Sequence, residues 1–314
     1  MSDKVLDIDV LIRSQVDDAW AIPILAEIRQ LCKQLKIKIV VLDDDPTGTQ
    51  TVYNIPVITK WHDELIADTL KTSDRGFFIL TNSRSLSEKE AVVINTVIAQ
   101  RVKAAADEAG FSALLISRSD STLRGHFPAE LLALEKGWDS SWDGYILMPY
   151  FKEGGRYTIH DIHYVRQKNQ LIPVAKTGFA KDPVFNYNSS DLAYYISEKT
   201  NYQVNISEII AVTIEQLNTG VKVIEQQLDK LLNGKYAIVN ATCSYHAAFF
   251  ALGVVRKWQT GRGYLVRCSA SLVQAFFGIA ESKFPGMAYI IIPGNIGTED
   301  CLTILYNKLQ NAAA

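Results

Sequence analysis

Short apolar, β-branched runs alternate along this chain with longer stretches whose apolar residues recur at helical spacing. The runs fall at residues 37–42, 77–81, 113–117, 145–149, 209–212, 236–240, 264–268 and 288–293. They are apolar almost throughout instead of alternating, which predicts strands buried on both faces of a parallel sheet. Helices are predicted between them at 24–35, 88–109, 128–137, 192–199, 214–232, 245–258, 270–282 and 298–309. Pro23 suits the first turn of the earliest helix. Ser85-Leu86-Ser87-Glu88 has the spacing of a capping box, and Gly110 stands where that helix should stop. Pro128 suits the first position of the next helix. Segments 157–165 and 169–175 break the rhythm and read as a hairpin or lid.

This alternation predicts an α/β fold: a mostly parallel sheet with helices on both faces, followed by a partial second α/β domain. The division is expected near residue 235, after Asn233-Gly234. It gives a leader and helix over 1–36, a first domain over 37–235 and a second unit over 236–314. That last piece is short for an independent doubly wound domain.

Composition narrows the function classes. With 48% hydrophobic and 21% charged residues, the 314-residue chain reads as globular. Lys+Arg 32 against Asp+Glu 34 leaves a net charge of −2, so the basic excess of a nucleic-acid binder is missing. No apolar run approaches the ~20 residues of a membrane span, and the charged N-terminus lacks a signal peptide's apolar core. Cys32, Cys243, Cys268 and Cys301 are scattered with no CxxC pair. They argue against zinc and disulfides and fit a reducing cytoplasm.

In open α/β sheets ligands bind beyond the carboxyl ends of the strands. The residues there form a consistent set. After the first run come Asp43, Asp44, Asp45, Thr47 and Gly48; after the second, Thr81-Asn82-Ser83-Arg84. After the third come Arg118, Asp120, Ser121, Thr122, Arg124 and His126; after the fourth, Lys152, Glu153, Gly154, Gly155 and Arg156. Three adjacent acids need compensation, which Arg84, Arg118 and Arg124, a divalent cation, or both could supply. Guanidinium forks capture carboxylates or phosphates, and aspartates take hydroxyls or remove their protons. Together they suit a small polyhydroxylated anion. Asp-Asp-Pro-Thr-Gly is also a good turn, and His126, His160 and His163 read best as hydrogen-bonded loop histidines. No Walker P-loop or GxGxxG follows a strand. Pro293-Gly294-Asn295-Ile296-Gly297-Thr298, between a strand and a helix, could hold an anion, as could Ser269 and Ser271.

The segments DDDPTGTQT, TNSRSLSEKEA, SRSDSTLRGHF, PYFKEGGRYTIHDIHYV, GFAKDPVFNYNSSDL and YLVRCSASLVQAFFGI, in this order over roughly residues 37–310, resemble the four-carbon acid sugar kinases. The resemblance implies ATP-dependent, Mg²⁺-assisted phosphorylation of an erythronate-, threonate- or oxotetronate-like acid. An N-terminal α/β domain would bind the acid and a C-terminal one ATP. Asp45 is then expected as general base, with Asp44 on a substrate hydroxyl or Mg²⁺. Thr47, Gly48, Arg84, Arg118, Asp120, Ser121, Thr122, Arg124, Gly155 and Arg156 would bind the acid, and Ser271 and Gly294 the nucleotide. No protein metal-ligand set is assigned. The family's glycine-rich nucleotide loops lie beyond residue 314. The expectation is a shortened chain or a natural substrate-binding part, the alternative being an inactive sugar-acid sensor. Arg118 stands where the family usually has lysine, and Pro46, Thr49 and Gln50 depart from its usual turn. The partner expected is a small sugar acid, with no nucleic acid or membrane, and homo-oligomerisation is left open.

Overall fold

The computed structural model describes residues 4–14, 16–45, 52–139, 141–280 and 289–291. In chain order its strands are β1 (Leu6–Asp7), β2 (Ile37–Asp43), β3 (Pro56–Ile58), β4 (Gly76–Leu80), β5 (Ser112–Arg118), β6 (Gly144–Met148), β7 (Arg156–Ile159), β8 (Ile162–Gln167), β9 (Gln170–Pro173), β10 (Ile210–Val212), β11 (Lys235–Val239), β12 (Tyr264–Cys268) and β13 (Tyr289–Ile291). The helices are α1 (Asp9–Ser14), α2 (Ala21–Gln34), α3 (Asp63–Thr72), α4 (Glu88–Ala109), α5 (Ala129–Trp138), α6 (Leu192–Lys199), α7 (Ile214–Thr219), α8 (Val221–Asp229), α9 (Ser244–Trp258) and α10 (Ala270–Phe276).

One sheet holds nine described strands in the order β10-β11-β6-β12-β5-β2-β4-β3-β13, every neighbouring pair parallel. β2 is its spine, and all seven of its residues are buried. Its alternate side chains enter two cores. Ile37, Ile39 and Val41 pack with α2, α9 and α10, while Val40 and Leu42 pack with α3, α4 and α5. Burial on both faces explains the unbroken apolar runs. The α/β fold with helices on both faces is therefore as the pattern predicts.

The expected division at residue 235 does not separate two sheets. β11 lies beside β6, and β12 is inserted between β6 and β5, in the same sheet as the earlier strands. Strand order in such a sheet is not written in the chain order, which is why the apparent restart at 235 misled. The N-terminal leader is also built in. Leu6 and Asp7 pair antiparallel with Leu171 and Gln170 in a small sheet, β1-β9-β8-β7. That sheet contains the expected hairpin, whose tip is tied down where Asn240 Nδ2 donates to Asp161 Oδ1 at 2.7 Å.

Three local details differ from the pattern. The capping box uses Ser87 and Glu90, because Ser83–Ser85 forms a separate short turn. The helix predicted over 214–232 is broken at Gly220, whose φ of +140° leaves the helical region. The pattern does not predict two elements, the three-residue β3 and the ten-residue α3, whose Ile66, Thr69 and Leu70 are buried at helical spacing. The helix expected over 298–309 lies outside the described residues. Among the described residues no helix is long and apolar enough to cross a membrane.

At the start of β4 the backbone needs glycine. Gly76 has φ +140°, and a Cβ there would lie 1.9 Å from the Ile39 carbonyl oxygen of β2. Gly76→Ala must therefore push apart the two strands that carry Asp43 and Thr81. We expect it to lower unfolding free energy by about 3 kcal/mol or more, measured by urea denaturation. An unchanged midpoint would contradict this packing.

Candidate functional site

The acids at the end of β2 emerge between β5 and β4. Side chains alternate along a strand, so Asp43 and Asp44 leave on opposite faces, and each meets its own compensation. Asp43 is fully buried, and its register partner Arg118 donates from Nη1 to Oδ1 at 3.0 Å. Asp43 Oδ2 and Arg118 Nε make no hydrogen bond among the described residues. Burial pushes the Asp43 carboxyl up to about 7, against the pull of Arg118.

Asp44 is gripped by Arg84, with Nη2 at 2.7 Å from Oδ1 and Nε at 3.2 Å from Oδ2. Ser119 Oγ lies 3.0 Å from Oδ2. Burial raises the Asp44 carboxyl although Arg84 draws it down. The remaining Arg84 nitrogen, Nη1, reaches Asp45 Oδ2 at 3.1 Å. Asp45 differs from its neighbours in keeping 26% of its side chain exposed. Burial opposes the charge of Arg84, but Asp44, Asp120 and Asp45 together raise its pKa. One guanidinium thus orders two carboxylates, a geometry that lysine cannot copy.

The DSTLRG loop follows β5, and buried donors hold three successive carbonyls in it. His163 Nε2 donates to Ser121 O at 2.8 Å, Tyr187 Oη to Thr122 O at 2.7 Å and Tyr195 Oη to Leu123 O at 2.9 Å. A carbonyl only accepts, so His163 carries its proton on Nε2, and Nδ1 accepts from Thr158 Oγ1 at 2.9 Å. Burial drives the His163 pKa down to about 4, keeping the ring neutral. The pinned loop presents Asp120, which accepts from Thr122 Oγ1 and Arg124 Nε. Burial raises its carboxyl, but Thr122, Arg84 and Arg124 outweigh that and hold it below the usual range.

Arg124 and Arg156 both lie over the Phe179 ring, with Cζ at 5.1 and 5.7 Å from its centroid. Arg124 is committed to Asp120, with Asp182 3.7 Å away. Arg156 has no carboxylate at ion-pair distance among the described residues, and its Nε makes no hydrogen bond. Burial lowers its pKa, partly offset by Asp120.

A second buried ion pair supports this layer from behind. Arg267 Nη1 lies 2.9 Å from Glu130 Oε2, and its Nη2 donates to Ser119 Oγ at 2.6 Å. Ser83 Oγ donates to Glu130 Oε1 at 2.5 Å. Gly125 crosses the network with φ +114°, where a Cβ would come within 2.7 Å of Arg267 Nη2 and 3.1 Å of Asp44 Oδ2.

The structure therefore brings together Asp44, Asp45, Arg84, Asp120, Arg124 and Arg156. Arg118 is 6% exposed and is paired with Asp43, its Nη1 also lying 4.0 Å from Asp44 Oδ1. Ser121 and Thr122 are buried within their loop. Gly155 forms the turn before Arg156, its N–H donating to Lys152 O at 2.9 Å. Ser271 sits at the start of α10, accepting from Lys152 N at 3.1 Å. Thr47, Gly48 and Gly294 lie outside the described residues. His126 Nε2 sits 3.0 Å from Leu86 O and fixes a loop. Among the described residues no group of three His, Cys, Asp or Glu is placed to hold a metal. Sequence reasoning missed Glu130, Arg267, Phe179 and Asp182. Arg267 carried one signal, a charge inside the apolar run Tyr264-Leu265-Val266-Arg267-Cys268.

A family model described as a sugar-binding N-terminal domain matches residues 39–276, passing through residue 235 without a break. Among curated proteins none matches. Similar solved structures include a Haemophilus influenzae protein with a DUF1537 family model, at 16% identity and TM-score 0.56, covering 76% of this chain and 55% of that one. Another is a DUF1537 domain from Bordetella bronchiseptica, solved with bound citrate as a domain-swapped dimer. It has 19% identity and TM-score 0.57, covering 76% of this chain and 55% of that one. At such identities the likeness is one of fold, and this chain spans little more than half the length of either protein.

Two tests follow from the geometry. Glu130→Gln leaves Arg267 buried without its anion and should cost about 3 kcal/mol in chemical denaturation. Replacing both, Glu130→Leu with Arg267→Met, should recover much of that loss, and additive losses would contradict the pairing. The second test concerns pH. His163 binds its proton less readily folded than unfolded, so its contribution to stability is complete above about 6.5 and falls as pH drops toward 4. In His163→Gln the slope of stability against pH in that window should shrink by up to about 1.4 kcal/mol per pH unit. An identical slope would mean that His163 titrates normally.

Proposed function

The chain belongs to the family of sugar-binding N-terminal domains, and we propose that it is the acid-binding part of an ATP-dependent four-carbon sugar-acid kinase. The observation that carries the reading is the division of labour among the arginines. Arg84, Arg118 and Arg124 are each committed to an aspartate, whereas Arg156 has no carboxylate partner among the described residues. A guanidinium held over an aromatic ring and lacking an acid is suited to capture a ligand carboxylate. Asp120 links the two halves of the site, since its charge acts on both Arg84 and Arg156.

In this reading Arg156 takes the substrate carboxylate, and the partly exposed Asp45 takes a hydroxyl. Arg84 keeps Asp45 aimed, as a general base requires. Asp44, with both oxygens already engaged, positions Arg84 and does not itself reach substrate. The citrate in the Bordetella structure, itself a hydroxylated carboxylic acid, supports a ligand of this class. ATP and Mg²⁺ come to the proposal from the family. Kinases usually hold Mg²⁺ by one or two carboxylates plus the phosphates. The metal would supply neutralisation of phosphoryl charge. Ser271 already serves Lys152, so a nucleotide contact there would require that loop to move.

The test is a thermal-shift titration of the full chain with erythronate and threonate stereoisomers, each with and without ATP and Mg²⁺. A ligand at a hundred times its Kd stabilises the fold by about 2.7 kcal/mol. One acid should raise Tm in the wild type, and Arg156→Leu should abolish the shift while leaving the unliganded Tm nearly unchanged. A shift with ATP alone would give this chain its own nucleotide site. No response to any acid, or a full response in Arg156→Leu, would sink the assignment.

A further inference from the structure

A second polar cluster lies on the sheet face away from Asp44 and Arg84, and the proposed function does not use it. A cavity of about 180 Å³ is walled on one side by Asp18, Ala19, Ala21, Ile22 and Leu25, and on the other by Ser244, Ser271, Gln274 and neighbouring apolar residues. The first wall precedes residue 39, where the family match begins. Asp18 projects from that wall onto α9. Its Oδ1 accepts the N–H of Ser244, the first residue of the helix, at 2.9 Å. Its Oδ2 pairs with Lys152 Nζ. The α9 N-cap, Cys243, makes no side-chain cap bond.

A helix amino end beside an ammonium group is the arrangement by which proteins hold phosphoryl oxygens. Here a carboxylate of the chain itself sits in it. A further observation points to a ligand. Gln274 is 7% exposed and lines the same cavity, yet its side-chain amide makes no hydrogen bond among the described residues. The pair is also not sealed, since Lys152 and Asp18 keep 29% and 35% of their side chains exposed, so an ion from solvent can compete.

We propose that the amino end of α9, Lys152 and Gln274 form an oxyanion site for a phosphoryl group, and that Asp18 occupies it as an internal plug. The device reaches the candidate site along the chain. Lys152 N–H donates to Ser271 Oγ at 3.1 Å, and Lys152 O accepts from Gly155 N–H, immediately before Arg156. An anion that displaces Asp18 would therefore release the N-terminal segment while holding the Lys152 loop. The proposal does not depend on the sugar-acid reading, because its ligand and its residues are different.

The probe is inorganic phosphate, titrated calorimetrically into the full chain at constant ionic strength. Asp18→Ala should bind phosphate at least ten-fold more tightly than the wild type, and Asp18→Ala with Lys152→Met should lose the gain. If Asp18→Ala does not fold, Asp18→Asn serves instead. It keeps an acceptor for Ser244 N–H and removes only the charge that excludes phosphate. Equal binding by the wild type and the folded Asp18 variant would overturn the proposal. So would a gain that survives loss of Lys152, because the anion would then be held elsewhere. A sugar-acid response lost without any change in phosphate binding would count against the proposed function alone.

Discussion

The fork that Arg84 makes on Asp44 and Asp45 is the interaction on which the rest of this site depends. Acids at the end of a buried strand leave water, and an ionised carboxylate deep in a protein costs several kcal/mol unless it is paired. The chain meets that cost on both faces of β2. Asp43 is paired with Arg118 on one side and Asp44 with Arg84 on the other, and Asp45 alone stays partly in solvent. The arrangement compensates three repelling charges with two guanidinium groups, Arg118 on Asp43 and Arg84 on both Asp44 and Asp45.

The surrounding structure keeps that division in place. Glu130 and Arg267 lock Ser119 against Asp44, and His163, Tyr187 and Tyr195 hold the DSTLRG loop by its backbone. The loop's side chains then serve Asp120 and Arg124, whose pairing leaves Arg156 without an acid partner among the described residues. Side chains held in place this way need little rearrangement when a ligand binds.

Much of the architecture was legible in the chain because a parallel sheet buried on both faces leaves apolar runs that name themselves. The strand-end rule then picked out Asp44, Asp45, Arg84, Asp120, Arg124 and Arg156 before any coordinates. What stayed hidden was pairing. Sequence spacing shows Arg118 and Arg84 as equivalent cations, yet Arg118 hydrogen-bonds Asp43 and only approaches Asp44, at 4.0 Å, whereas Arg84 forks onto Asp44 and Asp45. The insertion of β12 between β6 and β5 could not be read either, so Arg267 appeared to belong to a separate unit when it underlies the site. Ser121 and Thr122 also read as ligands in sequence; in the structure both are buried, and Thr122 Oγ1 donates to Asp120.

The account's central claim is that Arg156 is the anion anchor while Arg84 remains with its aspartates. A crystal structure of the full chain bound to a four-carbon sugar acid tests it most directly. The account predicts the ligand carboxylate on the Arg156 guanidinium and a ligand hydroxyl on Asp45, with both Arg84–Asp44 contacts intact. An acid that takes Arg84 from Asp44, or one that binds away from these strand ends, would contradict it.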